Sequence, residues 1–245
     1  IDYALLDNYV VTDENEKYFT EKVIKMDGCY QVTDNRRLIP LVQSKEKYGL
    51  PNDKFIFCSF NNPYKIQPYI FKTWLEILKK KKDSILWLLC NEENTKKTLH
   101  DFASKKGIEA ERIIFCDLTT NSEHMQRLTC ADLMLDTFPV CSHTTASDAL
   151  WAGLPLVTIS GRSMVSRVAG SILKTMKLEN LITNNLKDYK EKILFIANNP
   201  NYLKEIKSKI VESRKTSSLF NTEKTTKKIE EQYKILFNQF LNRKY

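Results

Sequence analysis

Residues 131–160 read ADLMLDTFPVCSHTTASDALWAGLPLVTIS. Two apolar runs, at 131–136 and 155–160, enclose a polar loop and a segment with helical character. Short apolar runs bounded by turn residues predict buried strands, and a strand, a helix and a second strand predict a parallel βαβ unit. The stretch therefore indicates an α/β fold in which the loop after the first strand opens directly into a helix, whose first amides attract anions.

The same alternation covers most of the chain. Five runs predict strands, and five stretches with helical periodicity follow them: the strands are 54–60, 85–90, 112–116, 131–136 and 155–160, and the helices are about 67–82, 92–106, 121–130, 143–153 and 163–176. Such a pattern predicts a Rossmann-like parallel sheet with helices on both faces. Ligands bind at the carboxyl ends of such strands. We therefore expect functional loops near 61–66, 117–124, 137–145 and 160–167.

The two ends of the chain differ from this pattern. Apolar residues at helical spacing predict three packing helices near the C-terminus, at 186–198, 202–213 and 222–241. The first 40 residues predict a strand (2–6), a helix (14–25) and another strand (29–32). We interpret residues 1–40 as the tail of a preceding domain and 41–245 as a Rossmann-like domain with C-terminal helices. Because residue 1 is not Met, we expect a piece of a longer protein.

Composition excludes several classes of protein. No apolar run approaches the roughly 20 residues of a membrane span, and no signal peptide precedes the first strand, so we expect a cytoplasmic protein without a membrane partner. The net charge of +8 raises the alternative of a nucleic-acid binder. The Lys79–Lys82 run, however, follows an amphipathic segment and lacks interleaved aromatics, which is typical of a solvated helix end. Six scattered cysteines without ligand spacing indicate buried thiols.

Common catalytic motifs are missing from the sequence. It contains no GxGxxG, Walker, GxSxG or HExxH motif, which disfavours dinucleotide enzymes, P-loop ATPases and common hydrolases. It also contains no DxD pair. A bound diphosphate would therefore be neutralised by side chains and helix ends, and we expect neither a metal ion nor another cofactor.

Three of the expected loops carry candidate ligand groups. Lys65 follows the first strand as a point charge for phosphate, with the Asn62 amide beside it; the alternative is a turn with a solvated lysine. His124 and Arg127 share a helix face, with Asn121 or Ser122 as the helix cap, although a lone histidine at a helix start is usually structural.

The third loop, SHTTASD at 142–148, supports two interpretations. Thr145 and Asp148 fit a capping box, in which Asp148 reaches back to the helix start. An acidic residue beside a nucleotide also suits ribose hydroxyls. A helix cap alone does not require the imidazole of His143 followed by the hydroxyls of Thr144 and Thr145. Arg167, in the fourth loop, is explained equally well by a salt bridge or a surface position.

Combined, these motifs resemble one known family. The matching segments are FCSFNNPYKI, RIIFCDL with EHMQR, LDTFPVCSHTTASDALWAGLPLVT, SRVAGSIL and SSLFNTEKTTKKIEEQY. They are similar to the carboxyl-terminal part of the O-linked N-acetylglucosamine transferase and SPINDLY family. The resemblance implies a GT-B glycosyltransferase, of which this chain is the second, donor-binding half, with tetratricopeptide repeats and the acceptor-side catalytic residues upstream of residue 1.

The resemblance also implies a role for each candidate residue. Lys65 contacts the diphosphate and stabilises the departing UDP, with Asn62 beside it. His124 and Arg127 hold the uracil, and the backbone around Thr119 completes that contact. The helix start, with His143, Thr144 and Thr145, binds the phosphate. The carboxylate of Asp148 holds the ribose.

The donor sugar is left open between two forms of the family. HTTASDALW resembles the N-acetylglucosamine transferases, which implies an inverting protein O-glycosyltransferase that uses UDP-N-acetylglucosamine on Ser or Thr hydroxyls. Animal members of the family carry a lysine at the position of Asn121, whereas SPINDLY-like members resemble this chain there. This likeness implies the alternative of a GDP-fucose-using O-fucosyltransferase. A second alternative is a non-catalytic nucleotide- or protein-binding module.

Overall fold

A computed structural model describes residues 1–242. The chain begins with a two-stranded parallel sheet, β1 (Tyr3–Asp7) and β2 (Lys22–Met26), around a single helical turn, α1 (Asp13–Glu16). The prediction of a helix over 14–25 was wrong beyond this first turn, and the strand predicted at 29–32 is irregular chain. The alternating KVIKM segment pairs with β1 instead of continuing the helix.

The main sheet contains six parallel strands: β3 (Phe55–Ser59), β4 (Ser84–Leu89), β5 (Ile113–Cys116), β6 (Leu133–Leu135), β7 (Leu156–Ile159) and β8 (Ile182–Thr183). Their sequences are almost continuously apolar, as expected for parallel strands buried on both faces. Five of these strands were predicted within one or two residues at each end. The short β8 carries too little pattern to be predicted.

Helices surround this sheet. Their bounds are α2 (Pro68–Lys80), α3 (Glu93–Lys105), α4 (Asn121–Leu128), α5 (Thr144–Trp151), α6 (Val168–Thr175), α7 (Leu186–Asn198), α8 (Pro200–Thr216) and α9 (Thr222–Asn242). The helix α2 packs on α7, and α5 contacts α4, α6 and α8. Buried side chains from the strands and most of these helices form one hydrophobic cluster. The fold class predicted from the sequence is confirmed.

The strand order is β5-β4-β3-β6-β7-β8. The chain runs outward from β3 through β4 to β5, then returns to the other side of β3 as β6 and runs outward again. The loops that follow β3 and β6 therefore leave neighbouring strand ends in opposite directions. In open parallel sheets this switch point is where ligands bind.

The first 30 residues are attached to α6 by a buried carboxylate. Asp7 accepts hydrogen bonds from the amides of Tyr9 and Val10, and its second oxygen accepts from Ser171 Oγ at 2.7 Å. Tyr9 packs so closely on α6 that a Cβ on Gly170 would lie 2.5 Å from its ring. The division of the chain at residue 40 remains a prediction. Within residues 1–242, no helix is both long and apolar enough to cross a membrane.

Candidate nucleotide site

The loop after β6 is built around the buried carboxylate of Asp136. Its Oδ1 accepts from the amides of Thr137 and Ser142 at 2.8 and 2.7 Å and from Ser142 Oγ at 2.6 Å, and its Oδ2 accepts from Thr158 Oγ1 at 2.6 Å. Complete burial raises the pKa of Asp136, and these hydrogen bonds oppose the rise. The carboxylate thereby fixes residues 137–142, which deliver the chain to the start of α5.

The loop after β3 lies directly against this loop, across the switch point. Asn61 is buried and donates from Nδ2 to Ser142 Oγ at 2.7 Å, which extends the Asp136 network between the two strands. Lys65, half-buried at the end of a short 3-10 turn (Pro63–Lys65), donates from Nζ to the carbonyl of Cys141 at 3.2 Å. The ammonium group thus lies beside the residues that immediately precede α5.

His143 is the residue before α5, and its backbone angles are not helical. Its Nε2 lies 3.4 Å from the carbonyl of Val165, which can only accept, so this nitrogen carries the proton. Burial and the Lys65 charge lower the pKa of His143. The N–H groups of Thr144 and Thr145 belong to the first helical turn, where intrahelical carbonyl partners are missing. Together with Lys65, they create a positive surface at the switch point.

A second cluster lies on α4. Arg127 is buried and donates from Nε to His124 Nδ1 at 3.1 Å and from Nη1 to the carbonyl of Asp117 at 2.8 Å. Its guanidinium also stacks on the Phe60 ring, 4.6 Å from the centroid. Because a guanidinium only donates, Nδ1 of His124 is an acceptor and its proton is on Nε2. Burial, followed by the Arg127 charge, lowers the pKa of His124 to about 4, so the imidazole is neutral at physiological pH.

Asp148 connects the two clusters. It is buried on α5, and its Oδ2 lies 4.0 Å from Nε2 of His124 on α4. The same side chain forms an ion pair with Arg37. The capping box predicted for Thr145 and Asp148 is absent, because α5 begins at Thr144 with His143 as its N-cap, and no side chain makes a cap hydrogen bond there. The cap of α4 was also predicted wrongly: Thr120, not Asn121 or Ser122, accepts from the amide of Glu123.

The predicted site residues therefore gather at one edge of the sheet. Lys65, on the loop after β3, contacts the Asp136 loop that leads to His143 and α5, while His124 lies near Asp148 of that helix and is bonded to Arg127. Others lie at the rim: Asn62 is exposed and caps the 3-10 turn, Thr119 is exposed on the loop before α4, and Thr144 is exposed at the first position of α5. Arg167 is structural, since it donates to the carbonyls of Tyr9 and Gly161.

Sequence reasoning missed the residues that support this site. The apolar run at 131–136 predicts a strand but no role for Asp136, and no motif predicts a role for Asn61 or Arg37. A charged residue closing a fully apolar strand was the available signal for Asp136, since such a buried carboxylate needs several donors. The partner of Arg37 lies 111 residues away, and no local pattern indicates it. Within residues 1–242, no group of three or more His, Cys, Asp or Glu side chains could hold a metal ion.

A parallel sheet covered by helices, with a lysine, a helix start and a histidine–arginine cluster at its switch point, has the architecture of one half of a GT-B glycosyltransferase. Solved structures agree with this fold. An O-GlcNAc transferase mutant from Thermobaculum terrenum matches 100% of this chain and 46% of its own, with a TM-score of 0.91 and 20% identity. WaaG, a glycosyltransferase involved in lipopolysaccharide biosynthesis, matches 93% of this chain and 61% of its own, with a TM-score of 0.67 and 13% identity.

Sequence comparison gives the family. The model of glycosyl transferase family 41 matches residues 25–229, and the chain belongs to this family. It is 38% identical, over 97% of its length, to a probable UDP-N-acetylglucosamine–peptide N-acetylglucosaminyltransferase SEC of Arabidopsis thaliana, and covers 25% of that protein. It is 28% identical, over 98% of its length, to a SPINDLY protein of Solanum lycopersicum, and covers 26% of it. The chain thus spans about a quarter of the length of these relatives.

Proposed function

We propose that this chain is the donor-binding part of an inverting protein O-glycosyltransferase that transfers N-acetylglucosamine from UDP-N-acetylglucosamine to Ser or Thr hydroxyls. Membership of family 41 and the relatives that carry this activity in their names support the reaction class. The observation that carries the proposal is the position of Lys65 and the α5 start beside the His124–Asp148 pair, at the switch point of the sheet.

In this proposal the nucleotide lies along the edge from α4 to α5. The Nε2–H of His124 faces the base, and Arg127 holds that imidazole and the Asp117 carbonyl in place, next to the backbone of Thr119. The carboxylate of Asp148 accepts the ribose hydroxyls. The diphosphate meets the amides of Thr144 and Thr145, the His143 side chain and the ammonium of Lys65, with Asn62 at the rim.

Transfer would proceed by direct displacement. An acceptor hydroxyl oxygen attacks the anomeric carbon from the face opposite the diphosphate, the bond from that carbon to the phosphate oxygen breaks, and its electron pair remains on departing UDP. Negative charge grows on the diphosphate, where Lys65 and the helix amides offset it. We propose that this positive surface makes a metal ion unnecessary, so that activity would persist in EDTA. The acceptor protein, the group that receives its proton and the tetratricopeptide repeats would belong to the rest of the longer protein.

Calorimetric titration of the chain with UDP tests the proposal. We expect saturable binding that is weakened about tenfold by His143→Ala, since one hydrogen bond to a charged group is lost. Titration with GDP is the comparison: the proposal requires UDP to bind more tightly, and tighter GDP binding would instead favour the fucose-using alternative. A folded chain that binds neither nucleotide would support the non-catalytic module.

A further inference from the structure

Residues 31–44 form a strap that crosses α5 without regular secondary structure. Among its hydrogen bonds, several connect it to α5 and to the end of α4. Gln31 Nε2 donates to Ser147 Oγ at 2.9 Å, Trp151 Nε1 donates to the carbonyl of Leu38 at 3.2 Å, and the amide of Gln43 donates to Thr129 Oγ1 at 3.0 Å. Two of these contacts lie on α5 and the third lies at the end of α4. The strap therefore spans both helices that carry the base and ribose groups.

Arg37 extends from the middle of this strap to the Asp148 carboxylate. Its Nη1 donates to Asp148 Oδ1, and its guanidinium lies over the Trp151 ring, 5.3 Å from the centroid. The side chains of Arg37 and Asp148 are only 16% and 9% exposed, so water screens this ion pair weakly. Among residues 1–242, the buried Nε and Nη2 of Arg37 have no hydrogen-bond partner. Asp148 is thus the group that holds the guanidinium electrostatically.

This contact determines what Asp148 offers to its other neighbours. Arg37 donates to Oδ1, and this contact favours the orientation in which Oδ2 faces His124. The charged groups that act on His124 are Arg127 on its own helix, Asp148 on α5 and Arg37 on the strap. Asp148 favours a protonated imidazole, whereas the two arginines oppose it. Removing Arg37 would remove one of the two positive charges that oppose protonation of His124.

We propose that Arg37 is a positioning residue of the nucleotide site, which orients the Asp148 carboxylate for the ribose hydroxyls and screens His124 from its charge. The nucleotide part of this inference rests on the proposed function. The effect on His124 does not, because it involves only groups of this chain.

The test compares Arg37→Gln with the wild-type chain in two measurements. Calorimetry should show UDP affinity reduced about tenfold, since one oriented charge-assisted contact is lost. NMR titration of the His124 ring protons without nucleotide should show that the pKa rises above its wild-type value of about 4. Lost packing that exposes His124 would also raise its pKa, because burial is the largest cause of the low value, so Arg37→Lys, which keeps the charge, is needed to separate the two causes.

Two further variants sharpen the test. Arg37→Lys keeps the positive charge, so it should restore most of the His124 titration and part of the UDP affinity. Arg36→Gln changes an exposed neighbouring arginine and should alter neither measurement. If Arg37→Gln does not fold, Arg37→Lys still decides, because it must bind UDP more weakly than wild type.

Each outcome has one meaning. Unchanged UDP affinity and unchanged His124 titration in Arg37→Gln overturn the inference, as does tighter UDP binding, which would mean that Arg37 competes with the ribose. A wild-type chain that does not bind UDP contradicts the proposed function. The His124 titration then still decides whether Arg37 controls Asp148.

Discussion

The two ends of the proposed nucleotide site differ in how their charges are satisfied. At the base and ribose end, Arg127 is bonded to His124, and Asp148 is bonded to Arg37, all with little exposure to water. At the diphosphate end, Lys65 is half-buried, its ammonium donates to one neutral carbonyl, and the α5 start presents free amides. The charged groups of the base and ribose end are therefore paired within the protein, whereas the positive charge of the diphosphate end has no anionic partner among the groups described above.

This difference separates two tasks. The charges of a paired cluster are neutralised within the protein before a ligand binds. Such a cluster therefore supplies hydrogen-bonding groups in fixed positions, which recognise the shape of the ligand. An unpaired positive surface supplies stabilisation that increases with negative charge on the ligand, which is what a departing diphosphate needs. Substitutions at the diphosphate end should therefore affect turnover most, and those at the base end should affect affinity, pH dependence and stability.

The largest effect is expected for Lys65→Ala in the proposed longer protein, in which this chain is joined to acceptor-side residues. Loss of one group that stabilises the leaving diphosphate should lower kcat by about 100- to 1,000-fold. Steady-state transfer from UDP-N-acetylglucosamine to a Ser- or Thr-containing peptide measures it. Lys79→Ala, at the exposed end of α2, is the matched control and should transfer normally. Turnover by Lys65→Ala within a few-fold of wild type would remove this lysine from the mechanism.

Asp136→Asn tests whether the diphosphate end depends on its buried support. An amide cannot accept all four hydrogen bonds that the carboxylate now accepts, so we expect about 3 kcal/mol less unfolding free energy in urea. Asp117→Asn changes an exposed carboxylate at the same edge and should cost less than about 0.5 kcal/mol. Equal stabilities of the two variants would show that the loop holds its shape without Asp136.

Much of this architecture, but less of the site, could be predicted from the sequence. Buried parallel strands produce continuous apolar runs, which predict β3 to β7, and apolar residues at helical spacing predict α7 with the bounds it has. The order of strands has no local signature, so the switch point between β3 and β6 emerged only from the pairing. The contacts of Asn61 with Ser142 and of Arg37 with Asp148 join residues 81 and 111 positions apart.

The burial of His124 at the base end should make the unfolding free energy of the chain depend on pH. The pKa of His124 is about 4 in the folded chain and near 6.5 when unfolded, so between these values the unfolded chain binds the extra proton. Stability should therefore fall as the pH falls from 6.5 toward 4. Relative to His124→Gln, wild type should lose about 1.5 kcal/mol of unfolding free energy between pH 6.5 and 5, measured by urea titration. Parallel curves for the two proteins would contradict a buried, neutral His124.

The smallest effect is expected at the start of α4, which positions His124 and Arg127 together. Thr120→Ala removes the side-chain oxygen that accepts from the amide of Glu123, and should cost about 1 kcal/mol in urea unfolding. Asn121→Ala is the matched control: Asn121 is exposed inside the first turn, so its loss should change stability by less than about 0.5 kcal/mol. The reverse ranking would mean that α4 begins one residue later than the structure places it. If the base end is fixed in advance, Thr120→Ala should also weaken UDP binding by a few-fold, because a frayed first turn lets His124 move relative to Asp148.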